Sequence, residues 1–312
     1  MQNILQNTPS SVKPTATWVL LLILSLYVIG GLFMFTFIAQ VFLLPFYDFA
    51  TITQLLTNPM SVEGSRMPLI ITQGIISIGS FILIPIFFIK RHLNDPIQNF
   101  FSFNPSLYRP LVLTTLITLC FMVINSVIIE WNQQMVLPEF LSGFESWALA
   151  KESQLEELTI YLTDFEYTYE FITAFIVIAI IAGVGEELLF RGLIQNLIKS
   201  ATGNIHIAIW ISAIIFSAFH MQFYGFIPRM LLGALFGYLY YWSGHLSIAM
   251  FAHFLNNGFT ITMMYLSKQE IVNYNPMTDA ISPPTSTILI FLLVCAGLMF
   301  SFWSYCKKLQ NE

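Results

Sequence analysis

Charge is scarce in this sequence. Asp, Glu, Lys and Arg make up 9% of its 312 residues, against roughly 25% in a soluble domain. So few charges cannot cover a water-facing surface, whereas 56% of the residues are hydrophobic and the mean hydropathy is +0.74. A soluble globular domain is thereby excluded, and a polytopic membrane protein is expected. Cysteine is scarce as well. Cys120, Cys295 and Cys306 lie in or beside apolar runs and none forms a CxxC pair. They read as buried small hydrophobes, not as a disulfide framework or a thiolate metal site. The sequence also has no HExxH or HxxEH helix, no GxSxG elbow, no Walker loop and no dinucleotide fingerprint. It has no internal repeat and no low-complexity segment. The opening "MQNILQNTPSSVKPTAT" is polar and meets a long apolar run without a small-residue cleavage site. No cleavable signal peptide is expected from it.

What is present is apolar runs of spanning length, which needs about 20 residues. About eight occur, near 17–44, 68–89, 110–130, 169–190, 205–222, 227–242, 246–267 and 286–304. The fold expected is an all-α, polytopic transmembrane helical bundle. The fourth run is expected to continue as helix to Lys199. Pro68, Pro110 and Pro228 sit at span starts, where a missing N–H costs nothing, and Pro85 is expected to kink the second span. Three regions follow: 1–164, with three spans and an acidic loop; 165–267, a core; and 268–312, a last span with a basic tail.

With eight spans, Lys13, Lys90, Arg91, Arg109, Lys199, Lys307 and Lys308 share one side, with only Asp95 and Glu312 as acids outside the spans. Glu139, Glu145, Glu152, Glu156, Glu157, Asp164 and Glu166 take the other side, where bases are few. The positive-inside rule then makes both termini cytoplasmic, with Arg229 as the exception at the far end of the sixth span. The acidic loop from Trp131 to Tyr167 contains a helical stretch, "ESWALAKESQLEELTIYL", expected to lie as a solvated amphipathic helix without a catalytic role.

Inside the spans the acids expected are Glu186 and Glu187, and the buried bases Arg191, His220 and His253. A charge at mid-bilayer costs several kcal/mol, roughly, so such residues face the bundle interior and usually work. Glu187 and Arg191 are four apart and share a helix face, so they can pair. Glu186 is turned about 100° from Glu187 and lacks that partner; it is the better candidate for chemistry. "FSAFH" puts His220 late in the fifth span, where it either bonds a carbonyl in the core or takes part in chemistry. "HFLNN" puts His253 and Asn257 on one face of the seventh, where they can bind a metal, donate to an oxyanion or bond a neighbouring helix. At 1.5 Å per residue from the basic surface, Glu186 lies about 20 Å deep, His220 about 22 Å, Asn257 about 18 Å and His253 about 12 Å. Residues distant in sequence thus fall in one layer. Gly233 and Gly237 form a GxxxG face, and Gly183 and Gly185 leave room for another helix or a substrate strand.

In order, Glu186-Glu187-x-x-x-Arg191, Phe216-x-x-x-His220 and His253-x-x-x-Asn257 resemble the three motifs, EExxxR, FxxxH and HxxxN, of the CAAX protease and bacteriocin-processing (CPBP, Abi) family of intramembrane endopeptidases. That family includes the type 2 prenyl-protein endopeptidases and the lysostaphin-resistance-like bacterial proteins. The resemblance covers roughly residues 165–267. It implies hydrolysis of a peptide bond of a membrane-associated protein or peptide. It further implies that Glu186 and His220 activate a water, that His253 and Asn257 stabilise the oxyanion, and that Glu187 with Arg191 orients the site. A buried carboxylate and imidazole or amide N–H groups suit these roles.

A variant of this reading places zinc on Glu186, His220 and His253, three N/O ligands that leave a position for water. A metal-free site without cofactor is favoured here, because buried carboxylates beyond the motifs that could fix each histidine tautomer are few and an amide such as Asn257 binds zinc poorly. Two non-enzymatic readings use the same residues: an immunity or partner-binding membrane protein on this scaffold, and a small transporter with a Glu/His proton path. The expected location is an integral, multi-pass position, in a bacterial inner membrane, in contact with lipid and with no nucleic-acid partner. The ending "KKLQNE" is no prenylation motif, so the chain is not expected to be its own substrate.

Overall fold

The computed structural model describes residues 14–93, 107–274 and 283–311. Lys13, Asp95 and Glu312, three of the charges used to orient the chain, lie outside the described residues. The described residues hold no strand and form ten helices. They are α1 (Pro14–Leu43), α2 (Phe49–Thr57), α3 (Arg66–Leu93), α4 (Tyr108–Gln133), α5 (Ser142–Thr163), α6 (Thr168–Thr202), α7 (Ile205–Ala218), α8 (Phe226–Ser243), α9 (Leu246–Lys268) and α10 (Thr285–Asn311).

Eight of these coincide with the eight apolar runs. Five, namely α1, α3, α4, α6 and α10, are long and apolar enough by themselves to cross a membrane, and α7 is a shorter apolar helix. Their outward surfaces are apolar: Phe33, Phe37, Leu293 and Phe300 are exposed. In water such surfaces would drive association; in a bilayer, lipid chains cover them. The protein is an all-α, integral membrane bundle.

Local chemistry explains the helix ends. Pro68, Pro110 and Pro228 fall in the first turns of α3, α4 and α8, where N–H groups have no intrahelical acceptor. Pro85 does not break α3. The helix widens into a π-type turn over Ile78–Leu83 just before it, which absorbs the lost hydrogen bond and the ring. Gly203 and Gly244 end α6 and α8 in the left-handed conformation. Asn204 caps α7 by accepting from the N–H groups of His206 and Ile207.

α6 is the central helix. Of its most apolar window 44% is buried, against 11% for α10. It packs on α9, α3, α1 and α7, while α8 lies between α7 and α9, and α10 lines the outside of α4. The main core gathers Leu188, Leu189, Phe190 and Leu193 of α6 with Phe236 and Leu239 of α8 and Ile248 and Ala249 of α9. Cys120, Cys295 and Cys306 are free and buried, as expected.

At one end of the bundle, cations sit on aromatic faces: Arg109 on Tyr305, Lys199 on Tyr241 and Lys307 on Trp303. This is the composition of an aromatic belt at a membrane–water boundary. At the other end the expected inventory of buried charge was short by a pair. Arg66 and Glu170 are both buried, and Arg66 Nη1 donates to Glu170 Oε2 at 3.1 Å. Arg66 Nε donates to the Tyr161 carbonyl at 2.9 Å. Glu170 also accepts from the N–H groups of Glu166 and Tyr167. Each charge stands at the first turn of an apolar span, where sequence alone places it in water; the covering chain before α6 removes that water.

Candidate active site

α6 changes pitch around the acidic pair. Residues Ala182–Glu187 are α-helical, and π-type stretches Phe175–Ile181 and Leu188–Ile194 flank them. Such stretches rotate side chains out of the regular 3.6-residue pattern and are frequent at functional sites. Gly183 and Gly185 are covered by helices, not open to a substrate strand. A Cβ at Gly183 would lie 3.2 Å from the backbone N of Phe254 on α9, and one at Gly185 would lie 2.9 Å from Cβ of Phe81 on α3. The two glycines let α9 and α3 press against the helix that carries the carboxylates.

Glu187 and Arg191 pair as their spacing requires: Arg191 Nη1 donates to Glu187 Oε1 at 2.7 Å, with both side chains fully buried. Arg191 Nη2 donates to the carbonyl of Gly233 at 2.9 Å. The guanidinium lies over the rings of Phe216, 4.5 Å away, and Phe236, 5.6 Å away. The GxxxG face of α8 thus serves α6 as much as α7. A Cβ at Gly233 would stand 3.0 Å from Arg191 Nη2 and 3.2 Å from Cβ of Ala213. Ion pair, carbonyl and aromatic faces together replace the water that a buried guanidinium loses.

The reading of Glu187 as a partner of Arg191 alone is incomplete. The same Oε1 also accepts from Nδ1 of His253, at 2.8 Å. Glu187 therefore bridges Arg191 of its own helix and His253 of α9. A carboxylate only accepts, so Nδ1 carries a hydrogen and the other ring nitrogen, Nε2, faces the remaining carboxylate. His253 Nε2 lies 3.9 Å from Glu186 Oε2. The imidazole is held flat against Phe236 and edge-on to Phe216.

Glu186 is the less committed acid. Its Oε2 is buried without a hydrogen-bond partner among the described residues. One oxygen of Glu187, Oε2, is unpartnered too, but its other oxygen holds two cation-capable groups. His220 lies within electrostatic reach of Glu186 and His253. Its Nδ1 bonds the carbonyl of Phe216 at 2.9 Å. This is the core-type bond anticipated for a histidine at that position. A carbonyl only accepts, so Nδ1 is the donor and Nε2 keeps its lone pair. Each histidine thus has a partner that fixes its tautomer, which removes the scarcity of such partners as an argument about metal.

Asn257 lies one turn beyond His253 on α9 and has partners of its own. Its Nδ2 donates to the carbonyl of Ile178 at 3.0 Å, and its Oδ1 accepts from Asn256 at 3.1 Å. Ile178 is two turns before Glu186 on α6. One amide hydrogen of Asn257 remains for another acceptor. Among the described residues no group of three His, Cys, Asp or Glu side chains is arranged to hold a metal ion.

Sequence reasoning passed over the turn after His220. Met221 is left-handed, with φ of 56°, a conformation uncommon outside glycine. The segment beyond it is pinned by α5. Glu152 Oε1 accepts from Gln222 Nε2 at 3.1 Å, and Oε2 from the Tyr224 N–H at 3.2 Å. Burial pushes the Glu152 carboxyl up, while the Tyr224 N–H, the Arg229 charge and Gln222 pull it back. The acidic helix is thus not merely solvated: it fastens the edge of the site.

Residues 168–259 match the type II CAAX prenyl endopeptidase Rce1-like family. The matched segment opens at the first residue of α6 and contains Glu186, Glu187, Arg191, His220, His253 and Asn257. The resemblance read from the three motifs is borne out over that segment. The chain is also similar to the uncharacterized protein YpbD of Bacillus subtilis (strain 168), with 32% identity over 84 residues. That stretch is 26% of this chain and 40% of YpbD, so the chain spans less than half the length of that relative. No solved structure matches the chain.

Proposed function

We propose that this protein is an intramembrane endopeptidase in which Glu186 and His220 activate a water against a peptide bond of a membrane-associated protein. The observation that carries the reading is the contrast between neighbouring carboxylates. Glu187 is tied to Arg191 and His253, whereas the buried Glu186 Oε2 has no hydrogen-bond partner among the described residues, faces His253 Nε2 and is within electrostatic reach of His220. A carboxylate held this way can take a proton from water as its oxygen attacks the carbonyl carbon. His220 receives a hydrogen bond at Nε2 and positions that water. The tetrahedral oxyanion accepts from the spare amide hydrogen of Asn257, and from His253 Nε2 when that ring is an imidazolium. Collapse breaks the C–N bond, and the proton taken by Glu186 passes to the leaving amine. The experiment is comparative proteomics of membranes carrying the wild-type protein or Glu186→Ala. A membrane protein left uncut in the variant is the expected result; identical proteomes contradict the reading.

The site is proposed to work without metal, on the ground of its donor arrangement. Purified active protein should carry no stoichiometric zinc and keep its activity through exhaustive chelation. Zinc at one per chain, with activity lost on removal and restored on return, favours the metalloprotease variant. A proton path through Glu186 and His220 predicts instead flux into liposomes and no cleavage.

Both termini and Lys199 are proposed to be cytoplasmic, with α5 outside, and the membrane to be a bacterial inner membrane. The support is the basic end with its aromatic belt, opposite the acidic α5. On a cysteine-free background, a thiol at exposed position Glu156→Cys should react with an impermeant reagent added from outside. Labelling from the cytoplasmic side alone reverses the topology and the depth order with it.

A further inference from the structure

Arg229 is the base that broke the charge asymmetry in the sequence. It stands in the first turn of α8, and a cation at a span end ordinarily extends to water. Here Nη2 donates to Gln222 Oε1 at 2.7 Å, while Nη1 is buried without a partner among the described residues. The guanidinium rests against Gly225, where a Cβ would stand 3.2 Å from both Nη1 and Nη2. Gln222 is itself held by Glu152 of α5. The acids whose charges reach Arg229 are Glu152 and Glu186. Glu152 already accepts from Gln222 and Tyr224. Arg229 is also an electrostatic neighbour of His220. A guanidinium seated on Gln222, two residues after His220, therefore keeps a buried donor without a partner among the described residues.

We propose that Arg229 anchors a carboxylate-binding subsite of the substrate peptide, oriented through Gln222 and Glu152. This rests on the peptidase reading of the same site. A charged donor buried without a partner is costly, and a guanidinium fork matches a carboxylate in plane and charge. The carboxylate belongs either to the C-terminus of the peptide or to an Asp or Glu side chain within it, and the two sources are separable.

The test uses the full chain in detergent and three probes: acetyl-Leu-Leu-Leu with a free carboxylate, the same peptide as its carboxamide, and acetyl-Leu-Glu-Leu carboxamide. Thermal melting is followed against probe concentration. Wild-type protein should be protected by at least one carboxylate-bearing probe at about tenfold or more lower concentration than by the plain carboxamide. The free-acid probe identifies the terminal source, and the Glu-containing probe the side-chain source. Arg229→Gln should erase the preference. Gln222→Ala, which keeps the charge but removes its orienting partner, should reduce it. Glu186→Gln should keep it while losing cleavage. Equal protection by acid and amide forms, no protection by any probe, or an intact preference in Arg229→Gln overturns the assignment. Absence of the preference alongside Glu186-dependent cleavage removes the subsite alone. A preference in a protein that cleaves nothing removes the peptidase reading and leaves Arg229 as a carboxylate site.

Discussion

Substitution of Glu186 by alanine or glutamine is expected to lower peptide-bond cleavage by about 10²- to 10⁴-fold, the usual contribution of a general base, with the protein still inserted and folded. The expectation of intact folding is structural. Glu186 makes no ion pair in the described residues closer than the 3.9 Å approach of His253 Nε2, and its buried Oε2 bonds nothing. Removing it leaves no partner stranded, and a neutral side chain there is relieved of the cost of a buried charge. Accumulation of an uncut membrane protein reads the activity; yield and melting in detergent read the fold. A Glu186→Gln protein that still cleaves at the wild-type rate ends the assignment of Glu186 as base.

The opposite signature is expected one residue along. Glu187→Ala or Arg191→Ala leaves a fully buried charge without its counter-ion, which costs about 3–5 kcal/mol, so both should reduce yield and melting temperature strongly. The structure adds a distinction between them. Glu187→Ala also frees His253, since Oε1 holds both Arg191 and Nδ1 of that ring. Any Glu187→Ala protein that does fold should therefore be slower than its Arg191→Ala counterpart per folded molecule. Because Arg191 further binds the Gly233 carbonyl, its loss should instead loosen α6 from α8. Equal destabilisation by substitution at Glu186, Glu187 and Arg191 would remove the division between a working acid and a structural one.

Arg66 and Arg229 show where local reading stops. Both sit at the first turn of an apolar helix, and both look like cations reaching water. Arg66 is buried because α5 and the turn into α6 close over it, through Tyr161 and Glu170, 95 and 104 residues away. Arg229 is seated by Gln222, which depends on Glu152, 70 residues earlier. The helix carrying Glu152 was readable as helix and as amphipathic; its grip on the turn after His220 was not, because that turn has no periodicity to betray which way it faces.

Sequence alone determined the membrane bundle, its eight apolar helices and the three motifs, because each rests on composition or on spacing within one helix. A run of about 20 apolar residues must be helical in lipid, where no other local structure satisfies its backbone. A Glu and an Arg four residues apart must share a face. The match over residues 168–259 follows the same kind of information. Tertiary structure alone decided how those faces meet. Periodicity fixes a residue's angle on its own helix but not the rotation and depth at which two helices lock. That locking is set by the glycine contacts that bring α9 and α3 onto α6 and by the wide turns within α6. It turned Glu187 from half of a pair into a bridge to His253, left Glu186 as the acid facing Nε2 of that ring, and tied Asn257 to the carbonyl of Ile178.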